Sequence, residues 1–201
     1  MFCDFADNIV AGTDEAGRGP LAGPVVAAAA ILTSEQQAVL LECGLKDSKK
    51  LSHTARERIF EKICVLGIEW SAQAASPARI DRVNILQASL WCMKRSVEKL
   101  RVRPDIVLID GNCLIPNLKL PQESVIKGDD KIPAIAAASV VAKVLRDRVM
   151  TVLDKIYPDY DFVGHKGYPS AKHREILKML GPSPIHRLSF RGVVIEQDND
   201  A

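Results

Sequence analysis

No Cys-x-x-Cys pair occurs in this sequence. Its five cysteines, Cys3, Cys43, Cys64, Cys92 and Cys113, are odd in number and far apart. That spacing argues against a disulfide framework and against a cysteine zinc site. Most of the thiols are expected to be buried, in a reducing compartment. The start, "MFCDFADN", has no basic segment followed by an apolar one, so no secretory signal is expected. The longest apolar run, "VVAAAAIL" at 25–32, is too short to span a bilayer. Internal repeats, low-complexity linkers and sustained heptads are all lacking. These absences make a cytoplasmic protein without a membrane segment, and a monomer, the expectation.

What is present suits one folded domain, with room for a small appendage. The chain has 201 residues, 47% of them hydrophobic and 26% charged, enough for a real core. The net charge of +2 says little about partners. Its distribution says more. Asp4, Asp7, Asp14 and Glu15 open the chain with no Lys or Arg among them. Residues 165–191 carry Lys166, Lys172, Arg174, Lys178, Arg187 and Arg191 against Glu175 alone. A basic stretch apart from an acidic one can set an anionic polymer against an acidic site, although a lopsided solvated surface reads the same way.

The pattern of elements is α/β. "NIVAGTD" and "GPVVAAAAIL" read as two strands joined by a turn. Ser34 is positioned to cap a short helix ending near Gly44, and Ser52 to cap a second. "IEWSAQAAS" reads as a strand. Pro77 opens a helix predicted to run unbroken to about Leu100. "PDIVLIDGN" is a buried strand ending on an acid and a turn. A short strand, "ESVIKGDD", and a long helix over 133–156 follow. The segment "YPDYDFVGHKGYP" reads as irregular, with a last helix near 170–180. We place a catalytic unit at 1–156 and a helix–loop region at 157–201 that completes the site, its acidic tail expected to be disordered.

Asp14 and Asp110 each end an apolar run beside a glycine turn, and Asp129 follows a third strand-like run. Ligands of open α/β sheets bind beyond strand ends, so these acids have a place to meet. An isolated acid there is more often a turn residue or a cap. The adjacent pair Asp14–Glu15 gains little from capping a single turn. Four converging carboxylates require cations between them, and hard ions such as Mg²⁺ or Mn²⁺ prefer oxygen ligands. Two such ions about 4 Å apart suit phosphoryl transfer.

"GTDEAGRGPLAGPVVAAAAIL", "DSKKLS", "LIDGN", "KGDDKIPAIAAASVVAKVLRDRVM" and "HKGYPSAKH" with "GPSPIHRLSF" occur in this order over residues 9–191. In them the chain resembles bacterial ribonuclease HII, a type 2 ribonuclease H. The resemblance implies a ribonuclease H-like fold, a five-stranded mixed sheet flanked by helices with a C-terminal helical region. It implies hydrolysis of RNA in RNA–DNA hybrids, and incision 5′ of single ribonucleotides in duplex DNA to leave 3′-hydroxyl and 5′-phosphate ends. Two Mn²⁺ or Mg²⁺ ions would be held by Asp14, Glu15, Asp110 and Asp129. Asp130 follows Asp129 directly, and the Lys-Gly-Asp register favours Asp129. Asp147 is a weaker rival, better explained by an ion pair with Lys143 one turn away.

The resemblance places the family's Gly-Arg-Gly motif on Gly17, Arg18 and Gly19, whose backbone would read a ribose 2′-hydroxyl. Its substrate-sensing tyrosine falls on Tyr168. His165 stands beside that tyrosine, with a structural hydrogen bond and a catalytic role both open. Phosphate contacts are expected from Lys49, Lys50, Ser139, Lys143 and Arg146, the last three on one helix face. Lys166, Lys172 and Arg174 would add weaker, salt-sensitive contacts. Arg187 is expected to pair within the protein instead. Two other readings are a non-catalytic binder of hybrid duplexes and a ribonuclease HIII-like enzyme that ignores single ribonucleotides.

Overall fold

The computed structural model describes residues 8–45 and 51–193. Five strands form one mixed sheet in the order β3-β2-β1-β4-β5. They are β1 (Val10–Ala16), β2 (Val25–Ile31), β3 (Glu69–Ala75), β4 (Ile106–Asp110) and β5 (Gln122–Val125). β1 is central. It pairs antiparallel with β2 and parallel with β4, and β4 pairs parallel with β5. The register sets Thr13 opposite Ile109 and Asp110 opposite Val125. The C-terminal ends of β1, β4 and β5 therefore lie side by side.

Helices α1 (Ser34–Glu42), α2 (His53–Val65), α3 (Pro77–Val83), α4 (Ile85–Glu98), α5 (Pro133–Ile156), α6 (Phe162–His165) and α7 (Ala171–Leu180) complete the chain. Alternation along β1 divides its side chains between two layers. Ala11 packs with β2 and the α4 residues Ala88, Cys92 and Met93. Ala16 packs on the other side with the α5 residues Ala137, Ala138 and Val141. α5 lies so close to the sheet that a Cβ on Gly12 would overlap the backbone of Ala134 and Ile135. The alanines that run through this helix are what permit that approach.

Several details differ from the sequence reading. Thr33, not Ser34, caps α1, because Thr33 and Gln36 form a reciprocal capping box. The helix expected over 77–100 breaks at Asn84, which adopts φ 66° and accepts from the Gln87 N–H to cap α4. The supposed irregular segment contains a 3₁₀ turn at Pro158–Tyr160 and the one-turn α6. Of the four described cysteines only Cys92 is buried, whereas Cys43 and Cys64 are exposed. Cys43 is the C-cap of α1, and Cys64 lies on the outer face of α2. Among the described residues, no helix is long and apolar enough to cross a membrane.

Candidate active site

Asp14 and Glu15 project to opposite faces of β1. Asp14 points toward α5 and is 4% exposed. It takes a hydrogen bond from Ser139 and feels the charge of Lys143, whose Nζ donates to Ser139 Oγ at 2.6 Å. Even so, burial, then the charge of Glu15, and also that of Asp110 push its carboxyl up to about 7. Glu15 points toward α4, in a crevice with Ser89, Asp110 and Asn112. Burial raises its carboxyl above the ordinary range, and Arg18 opposes the shift from 3.2 Å. The two acids straddle the end of one strand, and Asp110 repels both.

Asp110 ends β4 and accepts the Gly128 N–H at 2.7 Å. That bond ties it to the 3₁₀ turn Gly128–Asp130. In this turn Asp129 is 2% exposed, while Asp130 is exposed to solvent. Asp129, the acid that the Lys-Gly-Asp register favours, is thus the buried one of the two. Asp147 pairs with Arg56 of α2 at 3.5 Å, not with Lys143. The helical neighbour was the wrong partner because Lys143 is turned to Ser139.

The acids fit hard cations in chemistry. All their donors are oxygen, and Glu15 Oε2 is buried with no hydrogen bond. A buried carboxylate oxygen without a partner is costly and marks a place for positive charge. Among the described residues, no three His, Cys, Asp or Glu side chains already close around one point. The acids repel one another, and a cation placed among them would offset that repulsion.

Beyond β1 the chain runs through residues 17–24, and two buried arginines hold this loop from behind. Arg187 donates to the carbonyls of Gly17 (2.7 Å), Arg18 (3.0 Å) and Gly23 (3.0 Å). Arg146 donates to those of Pro24 (3.1 Å), Ala22 (3.3 Å) and Lys166 (3.0 Å). Arg146 was expected to grip phosphate, but it is 2% exposed and its guanidinium is engaged with these carbonyls. Gly17 has φ 93°, and a Cβ there would overlap the Arg146 side chain, so only glycine fits. Arg146 also lies 5.6 Å from the centre of the Tyr168 ring. A Cβ on Gly19 would stand 3.8 Å from Tyr168 Cε1. The loop and the tyrosine expected to sense ribose are therefore neighbours, and Tyr168 is 49% exposed.

A chain of histidines fixes the backbone of Tyr168. Its carbonyl accepts from His173 Nδ1 at 2.9 Å, so that nitrogen carries the proton. His173 Nε2 must then accept from His186 Nε2 at 3.0 Å. His186 Nδ1 in turn accepts the Ser183 N–H at 2.9 Å. His165 donates Nε2 to the Tyr160 carbonyl and accepts the Gly167 N–H at Nδ1. It stacks on His173 at 4.1 Å. Every ring nitrogen has one consistent role with all three rings neutral. Of the two roles left open for His165, the structural hydrogen bond is the one seen.

The remaining basic residues are spread out. Lys172 pairs with Asp161 at 2.8 Å, Lys166 donates to Thr151, and Arg174 to the Pro169 carbonyl. Lys49 and Lys50 lie outside the described residues. Arg187, expected to pair within the protein, does so through the carbonyls of Gly17, Arg18 and Gly23. Nothing in its segment, "PIHRLSF", pointed to the 17–24 loop as its partner.

Comparison with known proteins agrees with this arrangement. The family model for ribonuclease HII matches residues 11–193. The ribonuclease H2 of Pyrococcus horikoshii OT3 superposes with a TM-score of 0.77 at 28% identity, over 92% of this chain and 94% of that one. The ribonuclease HII of Archaeoglobus fulgidus, solved in complex with PCNA, gives 0.77 at 29% identity, over 96% and 98%. Bst-RNase HIII in complex with Mn²⁺ shares the fold, with a TM-score of 0.71 at 20% identity over 92% and 68%. The mixed sheet with its flanking helices is thus the ribonuclease H-like fold. With a family match across nearly all of the chain and two structures alike over almost their full length, this protein belongs to the ribonuclease HII family and is a ribonuclease H endonuclease.

Proposed function

We propose that this enzyme hydrolyses the RNA strand of RNA–DNA hybrids and also incises 5′ of single ribonucleotides in duplex DNA, leaving 3′-hydroxyl and 5′-phosphate ends. One observation carries the finer part. The Gly17–Gly19 loop and Tyr168 lie together, one residue beyond the buried acids at the end of β1. A 2′-hydroxyl reader beside a hydrolytic centre suits a substrate whose cut bond adjoins the sensed ribose.

Asp14, Glu15, Asp110 and Asp129 would hold two Mg²⁺ or Mn²⁺ ions. When bound, such ions lower the pKa of an attacking water and stabilise the departing oxygen. Asp14, at the end of the central strand, would hold metal in common with the acids of the neighbouring strand and turn. Ser139 holds the Asp14 carboxylate in place, and Lys143 brings positive charge to it. Lys143 then also faces an incoming phosphate. Backbone groups of Gly17, Arg18 and Gly19 meet the ribose. The Tyr168 ring packs on the next sugar and excludes a second 2′-hydroxyl, so that an RNA-to-DNA junction is preferred. Lys49, Lys50, Lys166, Lys172 and Arg174 contribute contacts that weaken with salt. The 157–193 region serves as part of the substrate site, because His165, Tyr168, His173 and Arg187 all build or support it. We take the enzyme to work as a cytoplasmic monomer.

The test is a duplex carrying one ribonucleotide, incubated in Mg²⁺ and separately in Mn²⁺. A nick on the 5′ side is expected. No nick in either metal, while an all-RNA hybrid strand is cut, would leave a ribonuclease HIII-like specificity. Tight binding with no product from either substrate would leave only a binder.

A further inference from the structure

Two buried guanidinium groups stand behind the loop that joins β1 to β2, and each donates three hydrogen bonds to backbone carbonyls. Burying an arginine is expensive, and a fold that buries one must gain something from its planar fork. Arg187 uses all three of its nitrogens, on Gly17, Arg18 and Gly23. It is 0% exposed. Its own backbone is anchored as well, since the Arg187 N–H donates to the Leu21 carbonyl at 2.8 Å. Next to it, Asp81 of α3 accepts the N–H groups of Leu188 and Ser189 at 3.0 Å each.

The consequence lies in the peptide planes. In a trans peptide the N–H points opposite to the C=O of the preceding residue. Arg187 draws the carbonyls of Gly17 and Arg18 inward. The N–H groups of Arg18 and Gly19 belong to those same two peptide units, so they are aimed away from the guanidinium. Gly17 is buried, whereas Arg18 and Gly19 are exposed. The loop thus offers two adjacent, outward-facing donors beside the Tyr168 ring. Without a donor behind the carbonyls, glycine-flanked peptides are free to flip.

We propose that Arg187 is a specificity-determining positioning residue: it sets the orientation of the Gly17–Gly19 peptides and so lets their N–H groups meet a ribose oxygen. This rests on the reading of that loop as the 2′-hydroxyl sensor. Lysine is no substitute, because a single ammonium cannot serve three carbonyls in the geometry of the fork.

The experiment measures binding of a one-ribonucleotide duplex and of the same all-DNA duplex by fluorescence anisotropy, with divalent metal chelated so that nothing is cut. Wild type, Arg187→Lys, Arg187→Gln and Asp81→Asn are compared, with folding checked by circular dichroism. The ratio of the two affinities is expected to fall about tenfold in the Arg187 variants, the worth of a hydrogen bond or so. Asp81→Asn loosens the same segment without touching the peptides, and should lower the melting temperature while keeping the ratio. A folded Arg187→Lys with the wild-type ratio overturns the proposal. A second measurement needs no variant. The amide signals of Arg18 and Gly19 in the wild type should shift further with the ribonucleotide duplex than with DNA, and equal shifts would overturn it. A wild type that does not distinguish the two duplexes would instead sink the sensor reading itself.

Discussion

Burial and the repulsion of Glu15 and Asp110 both act against the charged Asp14, and Ser139 and Lys143 offset part of that cost. Asp14→Asn should therefore abolish incision without unfolding the protein. In metal-free buffer its melting temperature should equal or exceed that of the wild type, because a strained buried charge is gone. Added Mn²⁺ should stabilise the wild type, by about 2.7 kcal/mol at a hundredfold excess over Kd. The variant should gain far less. Calorimetry with and without the ion checks both statements, and equal stabilisation of the two would argue against Asp14 as a ligand. Tyr168→Ala removes a half-exposed ring and should leave the fold alone. It should reduce the preference for an RNA-to-DNA junction, measured as the ratio of cutting at a single ribonucleotide to cutting within an all-RNA strand.

At the scale of elements, the contact between β1 and α5 decides where the acids stand. The 24 residues of α5 present Ala134 and Ala136–Ala138 to the sheet, and β1 answers with Gly12. That match brings Ser139 and Lys143, about one and two turns further along the helix, to Asp14. Gly12→Ala would force helix and strand apart, because the new methyl meets backbone rather than a movable side chain. We expect a loss of roughly 3 kcal/mol or more, in the class of core overpacking. Chemical denaturation would show it, and activity should fall in the fraction that remains folded, since Ser139 moves with the helix. The break at Asn84 belongs to the same scale. Apolar residues continue in helical phase through it, so periodicity alone could not reveal it. A left-handed backbone and a side-chain cap did.

Across the whole molecule, the C-terminal region backs the site through neutral histidines. Burial, and for His186 also the neighbouring His173, holds the three rings below the ordinary value of 6.5, with His186 down to about 4. A folded-state pKa below the unfolded one makes stability complete above about pH 6.5 and lost as pH falls toward 4. Protonation would also break the relay, since His173 Nε2 and His186 Nδ1 accept in it. Between pH 6.5 and 5, each histidine that protonates only in the unfolded chain should cost up to about 1.4 kcal/mol per pH unit, offset in part by Asp14 and Glu15, whose raised carboxyls take up protons in the folded state. His186→Gln should show a shallower fall in melting temperature over that window. An unchanged slope would mean that the histidines titrate as they do in the unfolded chain.

The sequence by itself determined the α/β class and the acids at strand ends. Those features are local: runs of apolar residues fix strands, and an acid before a glycine ends one. Its motif segments also carried the family, because they are long and specific. The tertiary structure alone decided which charges are buried and whom they meet. Arg146 shares a helix face with Ser139 and Lys143 in sequence, yet it is sealed beneath the Gly17 loop by carbonyls more than a hundred residues away. Arg187 was expected to pair within the protein, but only the fold shows that it holds the Gly17–Arg18 and Arg18–Gly19 peptides. Asp147 was assigned the nearer partner and took Arg56. Spacing along a helix states which side chains share a face. It does not state what packs against that face, and for a long cation the packing settles whether it reaches a phosphate or a carbonyl.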